Sequence, residues 1–428
     1  MRRIALVCLG LMICSSFYAQ ELTLSPYSRY GIGDLFNVST SRNAAMGGIG
    51  IATDNYFSIN RINPASFADA TFTTFDISGF AHFSQLRSSQ QNENQKSAGF
   101  QNISFMFPSN KNLTLAFGFS PYSVVGYNIS TQRAIDVSGV TQTELLRYEA
   151  DGGLNQVFIG AAFKMLKKRL RLGASMLYSF GGARYLREAS ILEGAAASGS
   201  LAVTLEDQTF ITGMGGQIGA MYVDSLKSSS LFLRIGAVVE FNGSLSGTRL
   251  LTSNNELFTD TLINEEGGEV DIPLKYGVGF QLSNPGKWAF GADVTFQNWE
   301  QFNYFSETST LSSEMRIGLG GELTPDFASS NYLKRISYRF GAYHKQSYIS
   351  FGGQRINDLG LTFGIGLPAG QSGTNQFNRA RLYSKINLGV AIGRRGNVNQ
   401  NLPLEELYAR IRIGITLTDT WFIRRVVD

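Results

Sequence analysis

The chain has 428 residues and a formal net charge of +4; 43% of residues are hydrophobic, 12% aromatic and only 16% charged, with 47 glycines. Mean hydropathy is near zero, and beyond about the first twenty residues no run of about eighteen apolar residues occurs, which excludes a transmembrane helix. What remains is an all-β chain, either a soluble sandwich or a membrane barrel whose alternating strands dilute the hydropathy signal.

At the N-terminus, Arg2 and Arg3 precede an apolar run from Ile4 to Ile13, then Ser15, Ser16 and a Tyr-Ala-Gln end. This is the three-part pattern of a secretory signal, predicted over residues 1–19 with cleavage after Ala19. Cys8 and Cys14 both lie inside it. The exported chain therefore carries no cysteine, and with that go disulfides, thiolate metal sites and thiol nucleophiles. Losing Arg2 and Arg3 lowers the charge to about +2, too little for a nucleic-acid partner. Composition and export together point to a Gram-negative-type outer membrane.

Residues 20–70 lack regular alternation. Gly47, Gly48 and Gly50 of "MGGIG" permit tight backbone, and Asn63-Pro64-Ala65 of "RINPASF" fixes a turn. From about residue 71 the period becomes two and stays so to the end, which predicts a transmembrane antiparallel β-barrel over 71–428. In "KWAFGADVTFQ", Trp288, Phe290, Ala292, Val294 and Phe296 share one face, and Ala289, Gly291, Asp293, Thr295 and Gln297 the other. Eight steps of about 3.3 Å, tilted as barrel strands are, make a band of about 20 Å, close to the apolar height of a barrel wall. The stretches 112–130, 380–394 and 405–424 repeat the pattern.

About fourteen such segments follow one another, and an even number returns both ends to the periplasm. Long connections at "SSQQNENQKS", 131–141, 190–201 and 247–269 alternate with tight ones at "PSNK", "LKKR" and "SNPGK", so the long ones are assigned outside. Fourteen strands enclose more space than side chains fill, and residues 20–70 are the expected hatch. In the third strand, Pro121 cannot donate to the ladder and Gly126 follows it. Leu250, Leu251, Leu257 and Phe258 in an outer connection are candidate ligand or partner contacts. Arg316, Arg339, Arg410 and Arg412 carry lumenal parity, where charge is tolerated. Trp421 and Phe422 suit the inner aromatic belt, with Arg424 and Arg425 beyond it. The two histidines, His82 and His344, have no metal-binding spacing. No G-x-S-x-G, phosphate loop or H-E-x-x-H occurs, so neither catalysis, a metal nor a cofactor is expected.

"NAAMGGIGIATD" followed by "INPASF" resembles the N-terminal hatch of the FadL-type outer-membrane transporters of hydrophobic compounds. The opening "SPYSRYGIGD" and the ending "TLTDTWFIRR" resemble the branch that includes PorV-type barrels. The first resemblance implies a fourteen-stranded barrel with a hatch inside, and a kinked third strand that opens the wall sideways, here at Pro121 and Gly126. It implies passive passage of a hydrophobic small molecule. The second implies a non-conducting accessory barrel within a larger outer-membrane complex for protein secretion or assembly. Outer-membrane lipids surround the barrel in both readings.

Overall fold

The structure is a computed structural model that describes residues 25–36, 39–53, 56–89, 91–137, 140–191, 202–226, 230–255, 258–305, 307–308, 310–369, 383–398 and 402–419. The signal over residues 1–19, Leu257, Trp421, Phe422, Arg424 and Arg425 lie outside the described residues.

Fourteen antiparallel wall strands form a closed ring. Closure is made by Thr73–Arg87, which pairs with Asn92–Pro108 on one edge and with Glu405–Asp419 on the other, from Thr73↔Asp419 to Arg87↔Glu405. A closed ring leaves no unsatisfied backbone edge for lipid to face. Among the described residues no helix is long and apolar enough to cross a membrane.

Alternation sorts the two faces. Phe117, Ile159, Val278, Phe363 and Ile413 are exposed on the outside, whereas their neighbours Ala116, Phe158 and Thr362 are about 1% exposed. Leu388 and Ile413 are cross-strand partners on that outer face rather than facing each other across a dry interior. An apolar belt of this kind around the ring is a lipid-facing surface.

The outer connections differ from expectation. "SSQQNENQKS" is mostly strand, because Asn92–Pro108 begins only four residues after Arg87 ends the first strand. Residues 131–141 belong largely to Ser123–Val137 and Val140–Met165, and 247–269 is the hairpin of Leu245–Asn254 with Thr259–Asp271. The polar composition marks where the lipid ends, not where the ladder ends. Above the bilayer both faces of a ribbon meet water, so its hydrogen bonds continue without an apolar side. Ser123–Val137, Val140–Met165, Leu170–Ile191, Val203–Ser225, Leu245–Asn254 and Thr259–Asp271 thereby extend one side of the barrel outward as a continuous sheet.

Three wall strands are also interrupted among the described residues, the eighth between Thr259–Asp271 and Lys275–Asn284. The seventh divides into Phe232–Asn242 and Leu245–Asn254. The third divides into Leu113–Pro121 and Ser123–Val137, both paired with Val140–Met165. Only its first part also pairs with the second strand, from Pro108↔Thr114 to Ile103↔Phe119.

Candidate functional site: a plugged lumen beside a broken strand

The segment before the first wall strand lies inside the ring and rests its backbone on the wall. Gly47 and Gly48 have φ of +65° and +72°, a left-handed conformation that side chains disfavour. The turn they make is closed by Gly48 N–H to the Asn43 carbonyl at 2.9 Å and by Asn43 Nδ2 to the Ile49 carbonyl at 2.7 Å. Facing it are inward wall glycines. A Cβ on Gly320 would stand 2.3 Å from the Met46 carbonyl oxygen, one on Gly341 2.2 Å from Gly47 N, and one on Gly236 2.3 Å from the Ile51 carbonyl oxygen. The plug backbone thus occupies the room that side chains would take. Gly219, in the wall strand Val203–Ser225, has the same role: a Cβ there would meet Asn63 Oδ1 at 1.9 Å.

Polar wall groups complete the seating. Asp293, on the inward face of Trp288–Gln297, accepts from Gly50 N at 2.5 Å and Ile51 N at 2.8 Å. Thr362 accepts from Gly47 N at 2.8 Å and donates to the Ala45 carbonyl at 3.1 Å. Asn63 caps the 3-10 turn Pro64–Asp69 through Ala65 N at 3.0 Å and donates to the Ile51 carbonyl at 2.7 Å. Pro64 fits the first position of that turn because it has no N–H to lose. Ala65 is fully buried with Met221 and Val223.

Charge fixes the two ends. Asp69 bonds Arg171 and stands 3.9 Å from Arg234 Nη2, all three almost fully buried. Arg42 pairs with Glu322 at 3.1 Å, and Glu322 also accepts from Arg339 Nε at 2.6 Å. At the outer end Arg395 clasps Asp34 with two bonds of 2.9 and 2.7 Å. Buried pairs of this kind resist separation, since removing one partner strands the other charge at about 3–5 kcal/mol.

The outer part of the plug is held differently. Tyr27 and Ile32 join Tyr122, Trp299, Phe302, Tyr348 and other buried side chains in one apolar cluster across the outer end of the lumen. Trp299 and Tyr348 stack at 4.6 Å, and Tyr348 Oη donates to the Gly33 carbonyl at 2.5 Å. Strand alternation carries no mark of this cluster, because its members come from the plug, the 3-10 turn Trp299–Gln301 and several separate wall strands.

The wall break falls at Pro121. Beyond it, Tyr122 N reaches the Leu154 carbonyl at 2.8 Å, and Gly152 and Gly153 opposite have φ of +125° and +136°. Plug residues fill the break. Asp34 and Leu35 pair with Val124 and Ser123, Phe36 N donates to the Tyr122 carbonyl at 2.9 Å, and Phe36 packs on Phe80 at 5.3 Å. Ser28 Oγ donates to the Gly126 carbonyl at 3.0 Å and accepts from Gly126 N at 3.1 Å. Gln101, bulged out of the second strand, donates to the Ser39 carbonyl.

Between plug and wall a cavity of about 190 Å³ remains, lined by charged and polar groups that include Arg61, Asp293, Glu314, Arg316, Arg410 and Arg412. Arg316 donates to the Gly47 carbonyl. Arg410 donates to His82 Nδ1 at 3.2 Å, and His82 Nε2 faces Glu406 at 3.1 Å. Arg339 lies apart from this group, at the inner end with Arg42 and Glu322. His344 faces outward across from Ile317. Leu250 and Phe258 are exposed on the outer hairpin and Leu251 is half-buried there. Among the described residues no cluster of His, Cys, Asp or Glu is placed to hold a metal ion.

The BamG family model matches residues 1–428. No curated protein matches the sequence significantly. Among solved structures, the CymD monoaromatic hydrocarbon channel superposes with a TM-score of 0.55 at 14% identity, covering 91% of this chain and 99% of that one. The Ralstonia pickettii toluene transporter TbuX gives 0.55 at 15% identity, covering 89% and 98%. A Pseudomonas aeruginosa FadL homologue gives 0.54 at 9% identity, covering 90% and 98%. Identities this low carry the FadL-type fold and nothing finer.

Proposed function

The chain belongs to the BamG family of outer-membrane barrels, and we propose that it acts as a sealed accessory barrel, a wall-like subunit of a larger outer-membrane assembly for protein insertion or secretion. The observation that carries this reading is the seating of the plug. Its backbone rests directly on wall glycines, and its ends are tied by a buried ion pair at Asp69 and a part-buried one at Asp34. A hydrophobic compound crossing this lumen would have to displace those contacts and then pass a cavity whose lining sets guanidinium and carboxylate groups among apolar ones such as Phe36, Phe80 and Leu177. Desolvating the charged groups against an apolar solute is unfavourable. The apolar girdle and the sheet that rises from one side of the barrel offer the contact surface instead.

One observation favours the other reading, passive passage of a hydrophobic small molecule. The third strand is broken at Pro121, and solved structures of similar fold are named as channels and transporters of aromatic hydrocarbons. Here the break is filled by residues 34–36 of the plug. Two experiments on the same preparation separate the readings. Extraction from native membranes in a mild detergent should bring stable protein partners with the barrel, and liposomes containing the purified barrel should take up toluene no faster than empty ones. Isolation as a lone barrel with toluene uptake above that background would overturn the proposal.

A further inference from the structure

The cavity between plug and wall is lined by more cations than carboxylates, seven Arg and Lys against five Asp and Glu. Asp34 is matched by Arg395, and Glu314 by Lys345. Of the other three carboxylates, Asp293 accepts from the plug N–H groups of Gly50 and Ile51, and Asp358 accepts from Tyr408 Oη at 2.6 Å. Neither of these nor Glu240 forms an ion pair with a described residue. Five cations are thus left in the lining without a carboxylate of their own.

Three of them gather in one place. Arg316 lies over the Tyr343 ring at 5.2 Å and Arg410 over the Tyr408 ring at 5.8 Å, and the two phenols are hydrogen-bonded to each other. Arg412, two residues beyond Arg410 on the same wall strand, has Arg410, Arg316 and both phenols as its electrostatic neighbours, with no carboxylate among them. Its guanidinium makes no hydrogen bond or ion pair with any described residue. Arg410 uses only Nε, on His82, and Arg316 only Nη2, on the Gly47 carbonyl. All three side chains are half-buried and border the open space, and none of their unused nitrogens is sealed in packed protein. The free donors therefore keep surface on the cavity.

Like charges held together away from bulk water repel one another unless an anion joins them. Room for one exists, since the cavity measures about 190 Å³ and a single water needs only about 10–15 Å³. Guanidinium groups spread planar pairs of donors, which match the oxygens of an oxyanion better than a halide. We propose that the plugged lumen holds a free, doubly charged tetrahedral oxyanion of the phosphate class, bridging Arg316, Arg410 and Arg412. Through Arg316, which holds the Gly47 carbonyl, the anion ties the plug turn to the closing strand Glu405–Asp419. The site does not depend on whether the barrel conducts or joins a complex.

The test uses the full-length barrel, unfolded in urea and refolded in a phosphorus-free detergent with radiolabelled inorganic phosphate, so that the anion meets the site before the plug closes over it. Equilibrium dialysis should find a single phosphate per refolded barrel, displaced by neither chloride nor acetate at equal concentration. Arg412→Gln and Arg410→Gln should each weaken binding about tenfold or more while the barrel keeps its heat-modifiable migration on a gel. No phosphate on the refolded wild-type barrel, displacement by chloride at equal concentration, or indifference to both substitutions would overturn the proposal.

Discussion

The inner and outer halves of the plug solve the same problem with different chemistry. The inner half, from Ser41 to Asp69, is held by backbone laid on glycine, by Asp293 and Thr362, and by the Asp69 and Glu322 ion pairs. The outer half, from Ser25 to Phe36, is held by aromatic packing and by strand-like pairing across the broken third strand, with Asp34–Arg395 as its chief charge contact. The difference follows from what each half faces. The inner half meets an unbroken wall whose inward glycines let polar backbone reach polar backbone. The outer half meets a wall with a gap, where backbone donors of Ser123–Val137 would otherwise lack a neighbour. It supplies that neighbour and covers it with rings. A plug fixed in two independent ways is a built part of the barrel and not a loose tail.

That contrast can be broken from either side. The largest effect is expected from Asp69→Ala, which leaves Arg171 and Arg234 buried without their carboxylate. The loss should be about 3–5 kcal/mol, seen as a lower urea midpoint for the heat-modifiable barrel, and a cysteine placed at Ser66 should become open to alkylation. Gly320→Ala acts on the same half by crowding, since its Cβ would meet the Met46 carbonyl oxygen at 2.3 Å. About 1–3 kcal/mol is expected, with unchanged behaviour at the outer end. Ser28→Ala tests the outer half alone. Losing its bonds to Gly126 should cost about 1 kcal/mol and speed amide exchange at residues 123–126 without touching residues 41–69. The smallest effect is predicted for Phe258→Ser on the outer hairpin, within about 0.5 kcal/mol. A larger loss in urea unfolding of the isolated barrel would mean that the hairpin tip, and not only its base at Leu245 and Val270, is packed.

Much of this wall was legible in the sequence, for a physical reason. Period two with a lipid-facing side must show as alternation, so Trp288–Gln297 and the Ile411, Ile413 and Ile415 face could be read directly, and the closed ring has fourteen strands as counted. Pro121 could be read as a break because proline removes a ladder donor. The extent of the outer ribbons could not, since residues 92–97 are polar on both sides and 131–137 carry no continuous apolar face, so both look like loop. Nor could the plug contacts. Asp69 and Arg171 are 102 residues apart, and Asp293 and Gly50 243 apart. Alternation says which side of the wall a residue takes but not which plug atom lies opposite it, because that depends on the tilt and shear of the whole ring. Arg410 and Arg412 line the cavity between plug and wall, yet the residues that hold the plug most firmly, Arg171, Arg234 and Asp293, carry no mark in the sequence beyond being inward and polar.

The sealed plug is tested most directly by tethering it. A Cβ on Gly389 would stand 3.5 Å from the Cβ of Ala45, within disulfide reach, and the only two cysteines in the sequence, Cys8 and Cys14, lie within the first nineteen residues. Liposomes carrying the Ala45→Cys/Gly389→Cys barrel should admit toluene at the same background rate whether the pair is oxidised or reduced. Uptake that begins on reduction and stops on oxidation would show a plug that moves to open a path, and would contradict the account.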